Sequence, residues 1–169
     1  MTNSIAFLDR DGVLNIDKGY VHKKIDFEWI EGAIETIRFL NKNNYLVIVV
    51  TNQAGIGRGY YSEKDVNELH AFMNSELSNH CASIDDFFFS PYHPEGIFQH
   101  YKNLEYLRKP NTGMLELAVK KWGINKSKSF LVGDMKHDID CAKSFGIKSF
   151  LFNQNNLYNF LIPKLVSFL

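Results

Sequence analysis

The sequence is poor in cysteine, arginine and uninterrupted apolar runs, and it carries no excess of charge of either sign. Two cysteines, Cys81 and Cys141, occur in 169 residues, neither with CxxC or Cys-to-His metal spacing. No disulfide is expected, and both cysteines read as small buried hydrophobes within helical stretches in a reducing compartment. The longest apolar stretch covers residues 45–50, far below the roughly 20 residues that a membrane-spanning helix needs. The opening residues Met1-Thr2-Asn3-Ser4 carry no basic run, and the apolar run behind them, residues 5–8, is too short for a signal peptide. The expected location is therefore cytoplasmic, with no membrane contact. Nineteen Lys and Arg balance nineteen Asp and Glu, for a formal net charge of zero. A chain that binds the polyanionic backbone of nucleic acid needs a basic face, so nucleic acid is not an expected partner.

What remains is ordinary for a globular protein: 45% apolar and 22% charged residues, enough chain for one self-sufficient core over residues 1–169. Among the cations, fifteen are Lys and four are Arg. Arg is the residue suited to bidentate anion recognition, and Arg10, Arg58 and Arg108 all fall in polar loops, with only Arg38 on an amphipathic helix.

Short apolar runs alternate with helix-period stretches along the whole chain. The spacing predicts strands at residues 5–8, 45–50, 87–89, 129–132 and 149–152. Between them it predicts helices at 32–40, from Ser62 through Leu77, at 112–122 stopped by Gly123, and at 136–145 stopped by Gly146. A long polar loop spans 90–111, and a tail helix beginning near Leu157 is expected to be interrupted by Pro163 and to pack on the sheet edge. Strands that are continuously apolar, alternating with helices, argue for a doubly wound parallel α/β sheet covered on both faces. In such folds chemistry sits at the carboxyl ends of the strands.

Those ends are distinctive. The first is Asp9-Arg10-Asp11-Gly12, the second Thr51-Asn52-Gln53, and the fourth Gly133-Asp134 with Asp138 four residues on; the loop after the third carries Arg108-Lys109-Pro110. Asp9 and Asp11 project to one side of their strand end and approach Asp134 if the first and fourth strands are neighbours. Crowded carboxylates need a cation, and an all-oxygen donor set suits Mg²⁺ rather than zinc. With Lys109 and the Thr51 hydroxyl converging on that ion, the site is shaped for a phosphoryl group. A carboxylate such as Asp9 can attack phosphorus, and Asp11 is placed to protonate the departing alcohol and later deprotonate water. Taken singly, each residue also reads as a capped turn, a helix N-terminal acid or a solvated lysine; the set, in order on four strand ends, is what points to chemistry.

This set resembles the haloacid dehalogenase (HAD) superfamily of phosphatases. Its four motifs stand in order as Asp9-Arg10-Asp11-Gly12-Val13, Thr51-Asn52, Lys109, and Gly133-Asp134 with Asp138. Thr51-Asn52-Gln53-Ala54-Gly55-Ile56 with Arg58-Gly59-Tyr60, and Arg108-Lys109-Pro110 with Gly113-Met114, resemble more closely the branch of heptose-bisphosphate and histidinol phosphatases. The resemblance implies a Mg²⁺-dependent hydrolase of a small phosphorylated metabolite, with heptose 1,7-bisphosphate (loss of the 7-phosphate) as first choice and histidinol phosphate as the alternative. It implies Asp9 as nucleophile and Asp11 as acid/base, and the metal on Asp9, Asp134 and the backbone carbonyl of Asp11. It implies phosphate on Thr51, Asn52 and Lys109, Asp138 in support, and Arg58 and Arg108 on the substrate. The intervals between motifs leave no room for a large cap domain, so selectivity is expected from loops 12–22, 52–61 and 91–108, in a monomer.

One departure stands out. Members of this branch carry zinc ligands at positions that here read Ser90, Tyr92, Glu105 and Leu107. No structural zinc is expected; packing of Tyr92, Phe98, Tyr101, Tyr106 and Leu107 is expected to shape the loop instead. Two other classes compete with the enzyme. A receiver-like phosphoacceptor needs its acceptor Asp after the third strand, where this chain has Ser90, and a catalytically silent binding or scaffold protein is distinguished by failure to hydrolyse an aryl phosphate.

Overall fold

A computed structural model of the chain describes residues 2–166; Met1 and residues 167–169, the end of the expected tail, lie outside the described residues. Five strands form one sheet: β1 (Ser4–Leu8), β2 (Tyr45–Asn52), β3 (Asp86–Ser90), β4 (Phe130–Gly133) and β5 (Lys148–Leu151). Their order is β3-β2-β1-β4-β5 and every neighbouring pair is parallel. The helices are α1 (Ala33–Lys42), α2 (Ala54–Gly57), α3 (Glu63–Ser78), α4 (Gly113–Trp122), α5 (Lys136–Phe145) and α6 (Leu157–Val166). The doubly wound α/β architecture expected from the alternation is the one observed, without a large cap.

The period-2 geometry of the strands divides the core into two layers. Ala6, Leu8, Val47, Val49, Phe130 and Val132 face α1, α3 and α6, while Ile5, Phe7, Ile48, Val50 and Leu131 face α4 and α5. Each central strand is thus apolar on both faces, which is why its sequence reads as a continuous run rather than an alternation. Register then sets the site: Leu8 lies opposite Val49 on one side and Val132 on the other, so β1, β2 and β4 finish at one level and release Asp9, Thr51 and Asp134 along the same edge.

Capping signals placed several ends well. Ser62 accepts from the Asp65 N–H while the Asp65 carboxylate takes the Ser62 N–H, a reciprocal capping box that starts α3. Gly146, at φ 83°, ends α5 in the left-handed region open to glycine. Other expectations shift. Pro163 lies inside α6 instead of ending it, because the buried Leu157, Phe160, Leu161 and Leu165 hold the segment in the α1-side core. That helix packs on α1, and its Phe160 meets Phe152, just past edge strand β5, at 5.3 Å, in keeping with the expected packing at the sheet edge. The 90–111 loop contains a 3₁₀ segment, Gln99–Leu107, where successive turns leave no α-helical apolar stripe to read. Cys81 is exposed at φ 54° in the turn after α3, not helical and not buried, whereas Cys141 is buried on α5. Ser129 precedes β4 and accepts from the Ile5 N–H through its hydroxyl, and Phe152 follows β5.

Candidate active site

The loop that leaves β1 is folded by its own backbone. The Arg10 carbonyl accepts from the amides of Val13 (3.3 Å), Leu14 (2.8 Å) and Asn15 (3.1 Å), and burial of Val13 and Leu14 anchors the turn. Gly12 sits at φ 86°, and a side chain there would run into the Asp134 carboxylate. Gly133 is required for a similar reason, since a Cβ would collide with Asp138. These two glycines let the ends of β1 and β4 close on one another.

Asp9 is almost fully buried. Its Oδ1 accepts from the Arg10 N–H (2.8 Å) and meets Lys109 Nζ (3.0 Å), which leaves Oδ2 for the cleft. Lys109 has no exposed side-chain surface, and its ammonium has three partners: Asp9, Asp138 Oδ1 (2.6 Å) and the Val50 carbonyl (2.8 Å). Burial pulls the Lys109 ammonium down, but Asp9 and Asp138 outweigh it and hold it above its ordinary value. Asp9 is pushed up to about 8, first by burial and then by the charges of Asp138 and Asp11, against the pull of Lys109. Asp134 is likewise raised by burial and by Asp138, and its Oδ1 is buried without a hydrogen-bond partner. One lysine facing three carboxylates leaves the site short of positive charge. An orphaned carboxylate oxygen, an all-oxygen donor set and a glycine-lined approach between Asp9 and Asp134 fit a hard divalent cation.

Asn52 does something the motif does not announce. Its side-chain amide clamps the backbone of Lys109 at both ends, Oδ1 taking the Lys109 N–H (3.0 Å) and Nδ2 donating to the Lys109 carbonyl (3.1 Å). The clamp aims Lys109 at Asp9 across 57 residues of sequence.

Asp11 is held on both oxygens. Oδ1 receives Arg10 Nη2 (3.1 Å) and Asn15 Nδ2 (3.0 Å), and Oδ2 receives Arg10 Nη2 (3.1 Å) and Gln53 Nε2 (3.0 Å). Arg10 is wholly buried, with its guanidinium also on the Val21 carbonyl and 3.4 Å from Nε2 of His70. Since Arg has no acceptor, His70 Nε2 accepts, and burial together with Arg10 presses the His70 pKa down to about 3. His70 stacks on Phe87 at 4.2 Å.

A cleft of about 300 Å³ opens over this constellation, lined by Asp9, Asp11, Thr51, Asn52 and Asp134 among the expected residues. Asp17, Gly19, Tyr20, Gln53, Ala54, Tyr61, Met135 and His137 complete the wall. None of these eight was named from sequence as a site residue, although Asp17, Gly19 and Tyr20 fall in the 12–22 loop and Gln53, Ala54 and Tyr61 in the 52–61 loop, both expected to set selectivity; Met135 and His137 carried no such signal. Arg58 lies at the rim, donating to the Tyr20 hydroxyl (3.1 Å), stacked on Tyr60 and 3.8 Å from Glu95. Arg108 sits behind it, half-buried, with Nη1 on the Tyr92 carbonyl at 3.4 Å. Among the described residues neither arginine enters the cleft wall itself. The 91–108 loop is tied down by Ile97 N–H on the Gly57 carbonyl (2.8 Å), by Asn111 Nδ2 on the Glu105 carbonyl (3.0 Å) and by buried Leu107. Tyr101 packs toward Ile56, Tyr61 and Val66, while Tyr106 and Phe98, expected to help fill the loop, are exposed.

A family model described as polynucleotide kinase 3 phosphatase matches residues 4–166. The D-glycero-beta-D-manno-heptose-1,7-bisphosphate 7-phosphatase of Rhodopseudomonas palustris is 40% identical over 161 residues, spanning 95% of this chain and 89% of the relative. The D-glycero-alpha-D-manno-heptose-1,7-bisphosphate 7-phosphatase of Burkholderia mallei is 43% identical over 147 residues, 87% of this chain and 78% of the relative. Among solved structures, D,D-heptose 1,7-bisphosphate phosphatase from B. bronchiseptica, complexed with magnesium and phosphate, superposes with a TM-score of 0.79 at 25% identity, covering 95% of this chain and 86% of that one.

Proposed function

Because this chain belongs to the polynucleotide kinase 3 phosphatase family, and is a phosphatase of HAD type, we propose that its cleft hydrolyses D-glycero-D-manno-heptose 1,7-bisphosphate with loss of the 7-phosphate. The observation that carries this reading is the convergence of Asp9, Thr51 and Asp134 from separate strand ends on one cleft, with the buried Lys109, from the loop after β3, 3.0 Å from Asp9. The family description names a polynucleotide, but a chain with nineteen cations and nineteen acids offers no basic excess for one. Relatives at about 40% identity are named for the sugar bisphosphate instead.

In this mechanism Asp9 Oδ2, the oxygen left free by Arg10 and Lys109, attacks phosphorus in line with the leaving alcohol. Asp11 gives that alcohol its proton, and an aspartyl-phosphate remains on Asp9. Asp11 then takes a proton from water as it attacks the same phosphorus, which frees inorganic phosphate and restores Asp9. Lys109 neutralises charge on Asp9 and the phosphoryl oxygens, and the Thr51 hydroxyl donates to the phosphoryl group. Asp138 and the Asn52 clamp hold Lys109 in place. Asp9, Asp134 and the Asp11 carbonyl would hold Mg²⁺. When bound, the ion neutralises the carboxylates and polarises the phosphoryl group. Arg58 and Arg108, set around Tyr20 and Tyr92, take the parts of the substrate beyond the reacting phosphate. The chain acts as a cytoplasmic monomer without structural zinc, its 91–108 loop held by the Gly57, Glu105 and Tyr92 carbonyls.

The test is phosphate release with Mg²⁺ over both anomers of heptose 1,7-bisphosphate, fructose 1,6-bisphosphate, histidinol phosphate and an aryl phosphate. A kcat/KM for a heptose bisphosphate far above the rest is expected. Preference for histidinol phosphate rejects the sugar, activity on the aryl phosphate alone rejects both named substrates, and no turnover at all makes the chain a silent binding protein.

A further inference from the structure

Gln53 lies beside the proposed chemistry yet has no role in it so far. The residue is 1% exposed, as is Thr51. Its side-chain amide makes three hydrogen bonds, and each has only one possible direction. The Tyr61 hydroxyl donates to Oε1 at 2.6 Å, while Nε2 reaches Thr51 Oγ1 at 2.8 Å and Asp11 Oδ2 at 3.0 Å. Both Asp11 oxygens already accept from Arg10, so the Gln53 NH₂ group faces Oδ2 as a further donor, and its second hydrogen is then committed to Thr51. Tyr61 completes that orientation from the other end by donating to Oε1, with its ring laid over Gly55, where any side chain would collide with it, and stacked on His22 at 4.5 Å.

The consequence falls on Thr51. A hydroxyl has one hydrogen, and because Thr51 Oγ1 accepts from Gln53, that hydrogen is free to point elsewhere. Thr51 lines the cleft, and among the described residues no acceptor is seen to take its hydrogen. We infer that Gln53, oriented by Tyr61, is a positioning residue that makes Thr51 a donor toward the phosphoryl oxygen and at the same time fixes the carboxylate of Asp11. The relay ties the group that receives the phosphate to the group that moves the proton, so both are set before substrate arrives. The roles of Thr51 and Asp11 rest on the proposed function; the direction of the hydrogen bonds does not.

The test compares Gln53→Met, which keeps length and removes both donations, with Thr51→Val, with the double variant and with Tyr61→Phe. Turnover of the best substrate and binding of inorganic phosphate in the presence of Mg²⁺ are both measured. Gln53→Met is expected to lower kcat/KM about 10- to 100-fold, less than the about 100- to 1,000-fold of a deleted transition-state donor because Thr51 itself remains, and to weaken phosphate binding about tenfold. If Gln53 acts through Thr51, the double variant binds phosphate within about threefold of Thr51→Val alone, the non-additivity expected of coupled groups, while its kcat/KM also carries the loss of the Asp11 contact. Tyr61→Phe, which removes one hydroxyl only, is expected to cost about three- to tenfold. A Gln53→Met protein within twofold of the parent in both measurements, or losses in phosphate binding that multiply in the double variant, overturns the relay. If Asp9→Asn retains turnover, the catalytic reading fails by itself, and phosphate binding still decides the relay.

Discussion

Lys109→Met removes the ammonium that contacts the buried carboxylates of Asp9 and Asp138, and its cost can be worked from the geometry. The methionine keeps most of the stem volume and deletes an ammonium that contacts Asp9 at 3.0 Å, Asp138 at 2.6 Å and the Val50 carbonyl at 2.8 Å. Deleting one partner of a buried ion pair costs about 3–5 kcal/mol when the remaining charge stays ionised. Here the remaining groups can escape by protonation. Asp9 is already raised to about 8 with Lys109 present, so the parent gives up this proton as pH passes 8, whereas the variant, without the lysine, holds it to higher pH. From about pH 8 upward the native state of the variant therefore binds up to one proton more than that of the parent, and its deficit grows with pH by at most about 1.4 kcal/mol per unit. In metal-free urea unfolding, a deficit of about 3–5 kcal/mol at pH 9 should shrink by about 1.4 kcal/mol at pH 7. Mg²⁺ should narrow the gap at pH 9, because the ion restores charge that the lysine supplied. The reasoning is refuted by a deficit that does not change between pH 7 and pH 9, or by one under about 1 kcal/mol at pH 9. Turnover should fall at least about 100-fold at every pH.

Asp9→Asn should abolish turnover with the fold intact, and a near-parental rate would exclude Asp9 as nucleophile. EDTA should stop phosphate release while leaving the urea transition cooperative at nearly the same midpoint; unfolding by the chelator would instead reveal a structural metal. His70, held near 3 by burial and Arg10, binds a proton in the unfolded chain from about pH 6.5 downward that the native state refuses. Stability should therefore be lost as pH falls from 6.5 toward 3, with His70 contributing on the order of 4 kcal/mol, and a His70→Gln protein with the same acid slope would contradict this. Asn52→Ala should cost about 1–3 kcal/mol for two hydrogen bonds and lower kcat, read by urea unfolding and steady-state kinetics; unchanged kinetics would mean that the clamp on Lys109 does not aim it.

The sequence by itself determined the layers of the fold and which strand-end residues line the cleft. Continuous apolar runs such as residues 45–50 were legible as strands because a strand buried on both faces has no polar alternation, and Ser62 and Gly146 marked helix ends through local hydrogen bonding and a left-handed φ. Asp9, Asp11, Thr51, Asn52 and Asp134 could be placed at strand ends for the same local reason, and Lys109 in the loop after the third strand. Only tertiary structure decided that β1 lies between β2 and β4, which is what brings Asp9 and Asp134 together. It alone joined Asn52 to Lys109, Arg10 to His70 across 60 residues, and Tyr61 to Gln53 and Asp11. It also kept Pro163 within a helix, turned Cys81 out of one and built a 3₁₀ segment into the 90–111 loop. These pairings depend on distance in space between side chains far apart in the chain, and such contacts leave neither a period nor a spacing in the sequence. Local propensity fixes which residues stand at a strand end; packing of the sheet decides which of them meet.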